Sequence, residues 1–247
     1  MTRNRTADRP LVVYGANPVL ELLRSGHPVG DLYLAPGPRM HEIAAAARAR
    51  DVSFIEERDR GALGRRAGSP HHQGAVAIVP GFRYAPLDRL CGPECRSALL
   101  LDGLQDPRNL GAIIRTARAA GLAGVVVPQD RSVAVTGVVA ATSAGLVFGI
   151  PIVRVPNLVR AMTTLKDAGY WLVGLTSDAP RRLGDLDRPE RVAVVLGGEG
   201  EGLRPLVLRA CDFVASIPMA PGVDSLNVAV AAGIALYTLV NPASGAS

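Results

Sequence analysis

Three short segments in the second half of the chain hold the residue types that could do chemistry. The first, Leu101 to Arg115, carries Asp-Pro-Arg-Asn-Leu-Gly ahead of an apolar, helix-like stretch. It sets Asn109 at a helix start and Arg115 about one and two-thirds turns further on. An Arg offers a planar, permanently charged fork suited to phosphate. The plain alternative is an N-cap Asn followed by a solvated Arg. The second segment, Leu196 to Leu203, reads Leu-Gly-Gly-Glu-Gly-Glu-Gly-Leu, with glycine at 197, 198, 200 and 202. It lies between an apolar run and a helix, where a nucleotide loop belongs. The third glycine of a dinucleotide fingerprint is missing, however, and no P-loop Gly-Lys-Ser/Thr occurs anywhere. Glu199 and Glu201 would repel phosphate. Glycines here let the backbone approach a ligand that is not led by phosphate, such as an adenosine or a cationic cofactor. The third segment, Ile217 to Asn227, leaves an apolar run and places Ser225 and Asn227 at the start of the last helix, where simple capping is the plain alternative.

These segments need strands and helices to hold them. Residues 11 to 80 alternate: apolar runs at Leu11–Tyr14, Leu32–Leu34, Val52–Ile55 and Ala75–Val79, with helical stretches from Asn17-Pro18, over Met40–Arg50 and over Arg58–Arg66. Asn17 reads as an N-cap, with Pro18 at the first helical position. This predicts a small layered α/β domain over 10–80. Residues 81–96, with Pro86, Gly92 and Pro93, read as a linker. From Ser97 the alternation restarts over 97–243. Strands are expected at Ala98–Leu101, Val125–Val127, Ile152–Val155, Trp171–Leu175, Val192–Leu196 and Phe213–Ile217. Helices are expected at Leu110–Ala120, Val133–Ala144, Leu158–Ala168, Arg204–Ala210 and Leu226–Val240. Apolar strands flanked by helices predict a mostly parallel sheet covered on both faces. The three segments leave the C-terminal ends of such strands, where ligand crevices form.

Composition narrows the classes. Of 247 residues, 48% are hydrophobic, enough for a sizeable core and too many for a disordered chain. The net charge is +5, split as +3 before residue 81 and +2 after it, so bulk charge permits a polyanionic partner without demanding one. Lys166 is the only Lys among 27 basic residues. Cys91, Cys95 and Cys211 are too few for a disulfide framework and lack the ligands of a zinc site, so a cytoplasmic protein without metal is expected. Met1 to Pro10 has no apolar run behind it that would make a signal peptide. The two long uncharged stretches, Ser132–Val153 and Ser225 onward, are broken by glycine or too short for a spanning helix of about 20 residues. Arg65, Arg66, His71, His72 and Gln73 cluster before the last strand of the first domain. RNA contact is expected there, with a solvated loop as the plain alternative. With ten aromatic residues and no stacking string, such contact would rest on phosphate, 2′-hydroxyl and shape.

Taken together, Asp106 to Thr116, Gly197 to Gly202 and Ile217 to Val228 resemble the three ordered motifs of the SpoU/TrmH branch of the SPOUT RNA methyltransferases. The resemblance covers about Ser97 to Leu239. Gly15-Ala-Asn-Pro-Val-Leu-Glu and His72-Gln-Gly-Ala-Val-Ala resemble the L30e-like substrate-binding domain of the same family. The combination is most similar to the RlmB type, which methylates a guanosine 2′-hydroxyl of 23S rRNA. A tRNA ribose methyltransferase or an antibiotic-resistance rRNA methyltransferase of the family stands as an alternative, and a non-enzymatic RNA-binding protein as a different class. The resemblance implies a C-terminal trefoil knot, a homodimer and S-adenosylmethionine as cofactor. It implies that Asn109, Arg115, Glu199, Ser225 and Asn227 form the active site. Gly197, Gly198, Gly202, Ile217, Met219 and Leu226 would hold the cofactor. Pro221 followed by Gly222 departs from the family string, in which glycine often stands two residues after Ile-Pro-Met. It removes an N–H and fixes φ in the cofactor loop.

Overall fold

The structure, a computed structural model, describes residues 10–198, 200 and 202–240. The chain divides into two compact units: residues up to Arg83 together with Val135–Gly149, and Tyr84–Ala134 together with Ile150 onward.

The first unit is built on β1 (Leu11–Tyr14), α1 (Ala16–Arg24), β2 (Leu32–Leu34), α2 (Met40–Arg48), β3 (Ile55–Glu56), α3 (Arg60–Ala67) and β4 (Ala75–Val79). Its four-stranded sheet has the order β1-β4-β2-β3. β4 runs antiparallel to both β1 and β2, and β2 pairs in parallel with β3. Strand β3 is shorter than the Val52–Ile55 run predicts. Asn17 is not the cap of α1. That helix starts at Ala16 behind Gly15, whose φ of 100° is open to glycine, and the Ala16 N–H donates to Gln73 Oε1 at 3.3 Å. The cap therefore comes from a loop 57 residues away in sequence.

A second difference concerns Val135–Gly149, expected within the later domain. This stretch packs with the first unit through α5 (Gly137–Thr142), capped by Thr136. A Cβ on Gly137 would lie 2.2 Å from the Val12 carbonyl oxygen, so only glycine lets α5 back onto β1 this closely.

The second unit holds β5 (Ser97–Asp102), α4 (Pro107–Ala119), β6 (Gly124–Pro128), β7 (Ile152–Val155), α6 (Leu158–Asp167), β8 (Trp171–Leu175), β9 (Val192–Gly197), α7 (Pro205–Arg209), β10 (Phe213–Ala215) and α8 (Val228–Leu239). The six strands run in the order β10-β8-β9-β5-β6-β7, and every pair is parallel. The central strands read as unbroken apolar runs because helices cover both faces: Leu99, Leu100, Val125, Val126, Val194 and Val195 are fully buried. Burying each such side chain stabilises the fold by roughly 1.5–3 kcal/mol.

The stretch read as a linker is not free-standing. From Tyr84 onward it belongs to this unit. The Ala85 N–H donates to the Ile152 carbonyl at 2.8 Å, Leu90 is fully buried, and the Tyr170 hydroxyl donates to the Leu90 carbonyl at 2.9 Å. Its Pro and Gly content shapes a tight 3₁₀ turn at Leu87–Leu90 that plugs into the core. No helix among the described residues is long and apolar enough to cross a membrane. No group of three or more His, Cys, Asp or Glu among them is placed to hold a metal ion.

Candidate active site

The loops that leave β8, β9 and β10 at their C-terminal ends surround a cavity of about 400 Å³. This is the position that strand direction in a parallel sheet dictates for a ligand, and the volume suits a small organic molecule. Gly197, Gly198, Gly202, Ile217, Met219 and Leu226 all line it, and so does Ser225. The glycine loop presents backbone, while Ile217, Met219, Leu226, Leu175 and Val228 supply apolar surface. Thr176, Ser177 and Ser225 add neutral hydroxyls, and Asp224 is the one ionisable residue among the described lining.

The glycine loop is tightly constrained. A Cβ on Gly197 would sit 2.0 Å from the Gly202 carbonyl carbon, and one on Gly198 would sit 2.6 Å from the Gly103 carbonyl oxygen. Neither position admits a side chain. Gly198 and Gly202 also form a β-bridge, with the Gly202 N–H donating to the Gly198 carbonyl at 3.2 Å. Glu199, expected in the active site, lies outside the described residues.

Asn109 is not the N-cap of α4. Asp106 is: its carboxylate accepts from the Arg108 N–H at 2.7 Å, and Pro107 occupies the first turn. Asn109 thus sits inside the first turn and its side chain is not spent on capping. Its Oδ1 accepts from Asn227 Nδ2 at 3.1 Å. Asn227 does cap α8, its Oδ1 accepting from the Ala229 and Val230 N–H groups at 2.9 and 3.4 Å. One amide therefore closes a helix with its oxygen and reaches another helix with its nitrogen. It does so between Leu226 and Val228, both of which line the cavity. Arg115 is exposed on α4 and is not part of the described cavity lining.

Two residues that the sequence did not single out stand behind the glycine loop. Asp102, the last residue of β5, has a fully enclosed side chain, and its Oδ1 accepts from Arg204 Nε at 2.7 Å. The Arg204 guanidinium is held more firmly protonated than usual, chiefly by that hydrogen bond. A buried acid at the C-terminal end of a parallel strand was the available signal. Thr176 and Ser177, which follow β8, could have been found from the same strand-end rule.

In the first unit the expected RNA cluster divides. Arg65, Arg66, His71 and Gln73 are exposed; Arg65 pairs with Asp59 at 3.1 Å, and the Arg66 guanidinium lies 4.1 Å from the centre of the Tyr33 ring. His72 does not share that surface. It is 5% exposed, its Nδ1 accepts from the Gly74 N–H at 3.1 Å, and burial pushes its pKa down. It is an interior turn residue.

Residues 96–237 match the model of the SpoU rRNA Methylase family, and residues 12–85 match that of RNA 2′-O ribose methyltransferase substrate binding. The chain is 42% identical over 243 residues to an uncharacterized tRNA/rRNA methyltransferase of Mycolicibacterium vanbaalenii, covering 95% of this chain and 77% of that protein. It is 44% identical over 239 residues to another uncharacterized tRNA/rRNA methyltransferase, of Mycobacterium tuberculosis, covering 94% and 74%. Among solved structures, the AdoMet-bound rRNA methyltransferase from Sinorhizobium meliloti superposes with a TM-score of 0.81 at 29% identity, over 94% of this chain and 87% of that one. The SpoU methyltransferase AviRb from Streptomyces viridochromogenes, in complex with AdoMet, gives 0.81 at 28% identity, over 96% and 92%.

Proposed function

The chain belongs to the SpoU rRNA Methylase family, and from that premise we propose that it transfers a methyl group from S-adenosylmethionine to a ribose 2′-hydroxyl of RNA, with a guanosine of 23S rRNA as target. The observation that carries the reading is the strand-end cavity lined by the glycine loop and by Ile217, Met219 and Leu226, with the Asn109–Asn227 link beside it. These residues fit the cofactor: side-chain-free backbone and apolar walls suit an adenosine, and Asp224 faces a cationic ligand without a basic rival among the described lining. Neighbours of the same fold that hold AdoMet support the assignment.

When bound, the cofactor supplies an electrophilic methyl on a sulfonium. The chain's own residues must bring a weakly acidic hydroxyl into line and stabilise charge as it develops on oxygen. Asn109 and Asn227 hold the geometry at the start of α4 and α8. Arg115, with its planar fork of N–H donors, binds the adjacent phosphate and orients the 2′-oxygen, whose proton leaves to phosphate or water. Exposed Arg65, Arg66, His71 and Gln73 of the substrate-binding unit contact the RNA backbone. The same reading makes the first unit L30e-like, ties the C-terminal segment into a trefoil knot and places the protein in the cytoplasm with its RNA.

It also makes the protein a homodimer. Val230, Ile234 and Tyr237 are 52%, 39% and 54% exposed at i, i+4 and i+7 of α8, a helix apolar on all sides. Such a helix is covered in a stable assembly. Mapping 2′-O-methylation in rRNA and tRNA with and without the gene tests the function. Loss of one guanosine methyl in 23S rRNA is expected; loss of a tRNA methyl would move the target, and an unchanged map would refute the reading. Arg115→Ala should abolish transfer while sparing cofactor binding.

A further inference from the structure

The glycine loop meets the cavity with backbone from Gly197, Gly198, Gly200 and Gly202. A loop of this composition has no side chains of its own to hold its course at those positions, and glycine gives the chain the most conformational freedom to lose on ordering. Its shape must be fixed from its ends. Both ends meet at one residue. At the entry, Asp102 pairs in register with Gly197 across the β5–β9 ladder, and Gly198 rests against the Gly103 carbonyl. At the exit, two residues after Gly202, the Asp102 carboxylate takes Arg204 by main chain and side chain together. Oδ2 accepts from the Arg204 backbone N–H at 3.0 Å, and Oδ1 accepts from Nε at 2.7 Å and lies 2.5 Å from Nη2.

We propose that Asp102 and Arg204 are positioning residues for the cofactor: the buried carboxylate closes the glycine loop into a ring by clamping its exit to the strand that already pairs with its entry, so the loop is shaped before the ligand arrives. This rests on S-adenosylmethionine being the ligand of the cavity. Neither residue lines the cavity, so neither acts on the reacting atoms. Pre-shaping lowers the ordering cost of binding and leaves the chemical step untouched. The fork geometry matters as much as the charge, because a carboxylate with two oxygens facing three donors of one residue is matched by Arg and not by Lys.

The two functions of such a pair, stapling α7 to β5 and shaping the loop, separate in kinetics. Replacing Arg204 can leave the enclosed Asp102 carboxylate without a partner, and breaking a buried pair can unfold a protein, so the variants chosen keep a hydrogen-bond donor at position 204. Arg204→Lys and Arg204→Gln are assayed in the full-length protein well below their melting temperatures, with methyl transfer to rRNA as readout. KM for S-adenosylmethionine should rise about tenfold in Arg204→Lys and more in Arg204→Gln, with kcat at saturating cofactor and KM for RNA within about twofold of the parent. A fall in melting temperature with KM for the cofactor unmoved would reduce the pair to a staple and overturn the proposal, and so would a loss confined to kcat. Amide hydrogen exchange gives a readout that needs no ligand. The Gly202 and Arg204 amides, hydrogen-bonded to Gly198 and Asp102, should exchange faster in Arg204→Gln while the β5 and β9 amides keep their protection. If the parent protein fails to bind S-adenosylmethionine, the cofactor assignment falls, and the exchange result still decides whether the clamp shapes the loop; unchanged exchange at both amides overturns it.

Discussion

Asn227 does two jobs with two ends of one amide, and substitutions can separate them. Asn227→Ala removes the acceptor that closes α8 through Ala229 and Val230, a cap worth about 1 kcal/mol. It also removes the 3.1 Å donor to Asn109, an exposed hydrogen bond worth about 0.5–1 kcal/mol. At about 2–4 °C per kcal/mol for a chain of this size, the melting temperature should fall by about 3–8 °C. Asn227→Asp is the discriminating variant. It keeps an acceptor at the cap and places negative charge at a helix N-terminus, which is favourable. It loses the Nδ2 donor and sets a carboxylate against Asn109 Oδ1. The dipole gain and the lost bond are of similar size, so its stability should stay within about 1 kcal/mol of the parent's, while kcat for methyl transfer drops on the order of 10²-fold through misplacement of the reacting hydroxyl. Thermal denaturation and single-turnover methyl transfer on the same preparations are the assays. An Asn227→Asp protein that is stable and fully active would refute the reasoning, because the inter-helix link would then have no part in catalysis.

Other perturbations follow from the same geometry. Gly198→Ala places a Cβ 2.6 Å from the Gly103 carbonyl oxygen, so calorimetry should find cofactor binding lost while circular dichroism shows helix content retained. Asp224→Asn should weaken cationic S-adenosylmethionine about threefold, a typical value for an exposed charge pair, and leave the uncharged-sulfur product S-adenosylhomocysteine unaffected; equal weakening of both would contradict a role in sensing the sulfonium. His27 and His72 both have pKa values pushed below the ordinary 6.5, in each case chiefly by burial. Below pH 6.5 the unfolded chain binds protons that these folded sites refuse, so stability falls as pH drops from 6.5 toward the folded pKa values. Melting curves at pH 7.5 and 5.5 should differ less in His72→Gln than in the parent. Ile234→Glu with Tyr237→Glu should convert a dimer to a monomer in sedimentation; a parent that already sediments as a monomer would remove the dimer from the reading.

The parallel sheet, its strand ends and the glycine loop were legible because they depend on local patterns: apolar runs of strand length, glycine clusters and turn residues where such runs stop. Ile217, Met219 and Leu226 came from the family resemblance, and Thr176 and Ser177 were not singled out. Helix starts were less so. Asn17 and Asn109 are good caps by residue type, yet α1 is capped by Gln73 from another loop and α4 by Asp106. For α4 the local signal was present, since Pro107 favours the first helical turn and marks the residue before it. For α1 no local rule could have found Gln73. The same distance problem hid Asp102 and Arg204, 102 residues apart, and the burial of His72, whose neighbours His71 and Gln73 are exposed. Val135–Gly149 packs with the first unit although its small apolar residues suit either core, and composition alone does not say which.

The misplaced cap at Asn109 bears on chemistry. Had Asn109 closed α4, its oxygen would have been occupied by backbone N–H groups. Because Asp106 performs that task, Asn109 can tie the first turn of α4 to the first turn of α8 through Asn227. Two helix N-termini are thereby held together beside the cavity, each with the positive end of its dipole there. As the proton leaves the hydroxyl ahead of the bond to the methyl carbon, negative charge builds on oxygen, and fixed dipoles that need no reorganisation stabilise such charge. On the proposed function, the Asn109–Asn227 bond would serve the reaction by fixing where two helix starts meet. For that reason an Asp at 227, which strengthens one helix, is expected to weaken the catalyst.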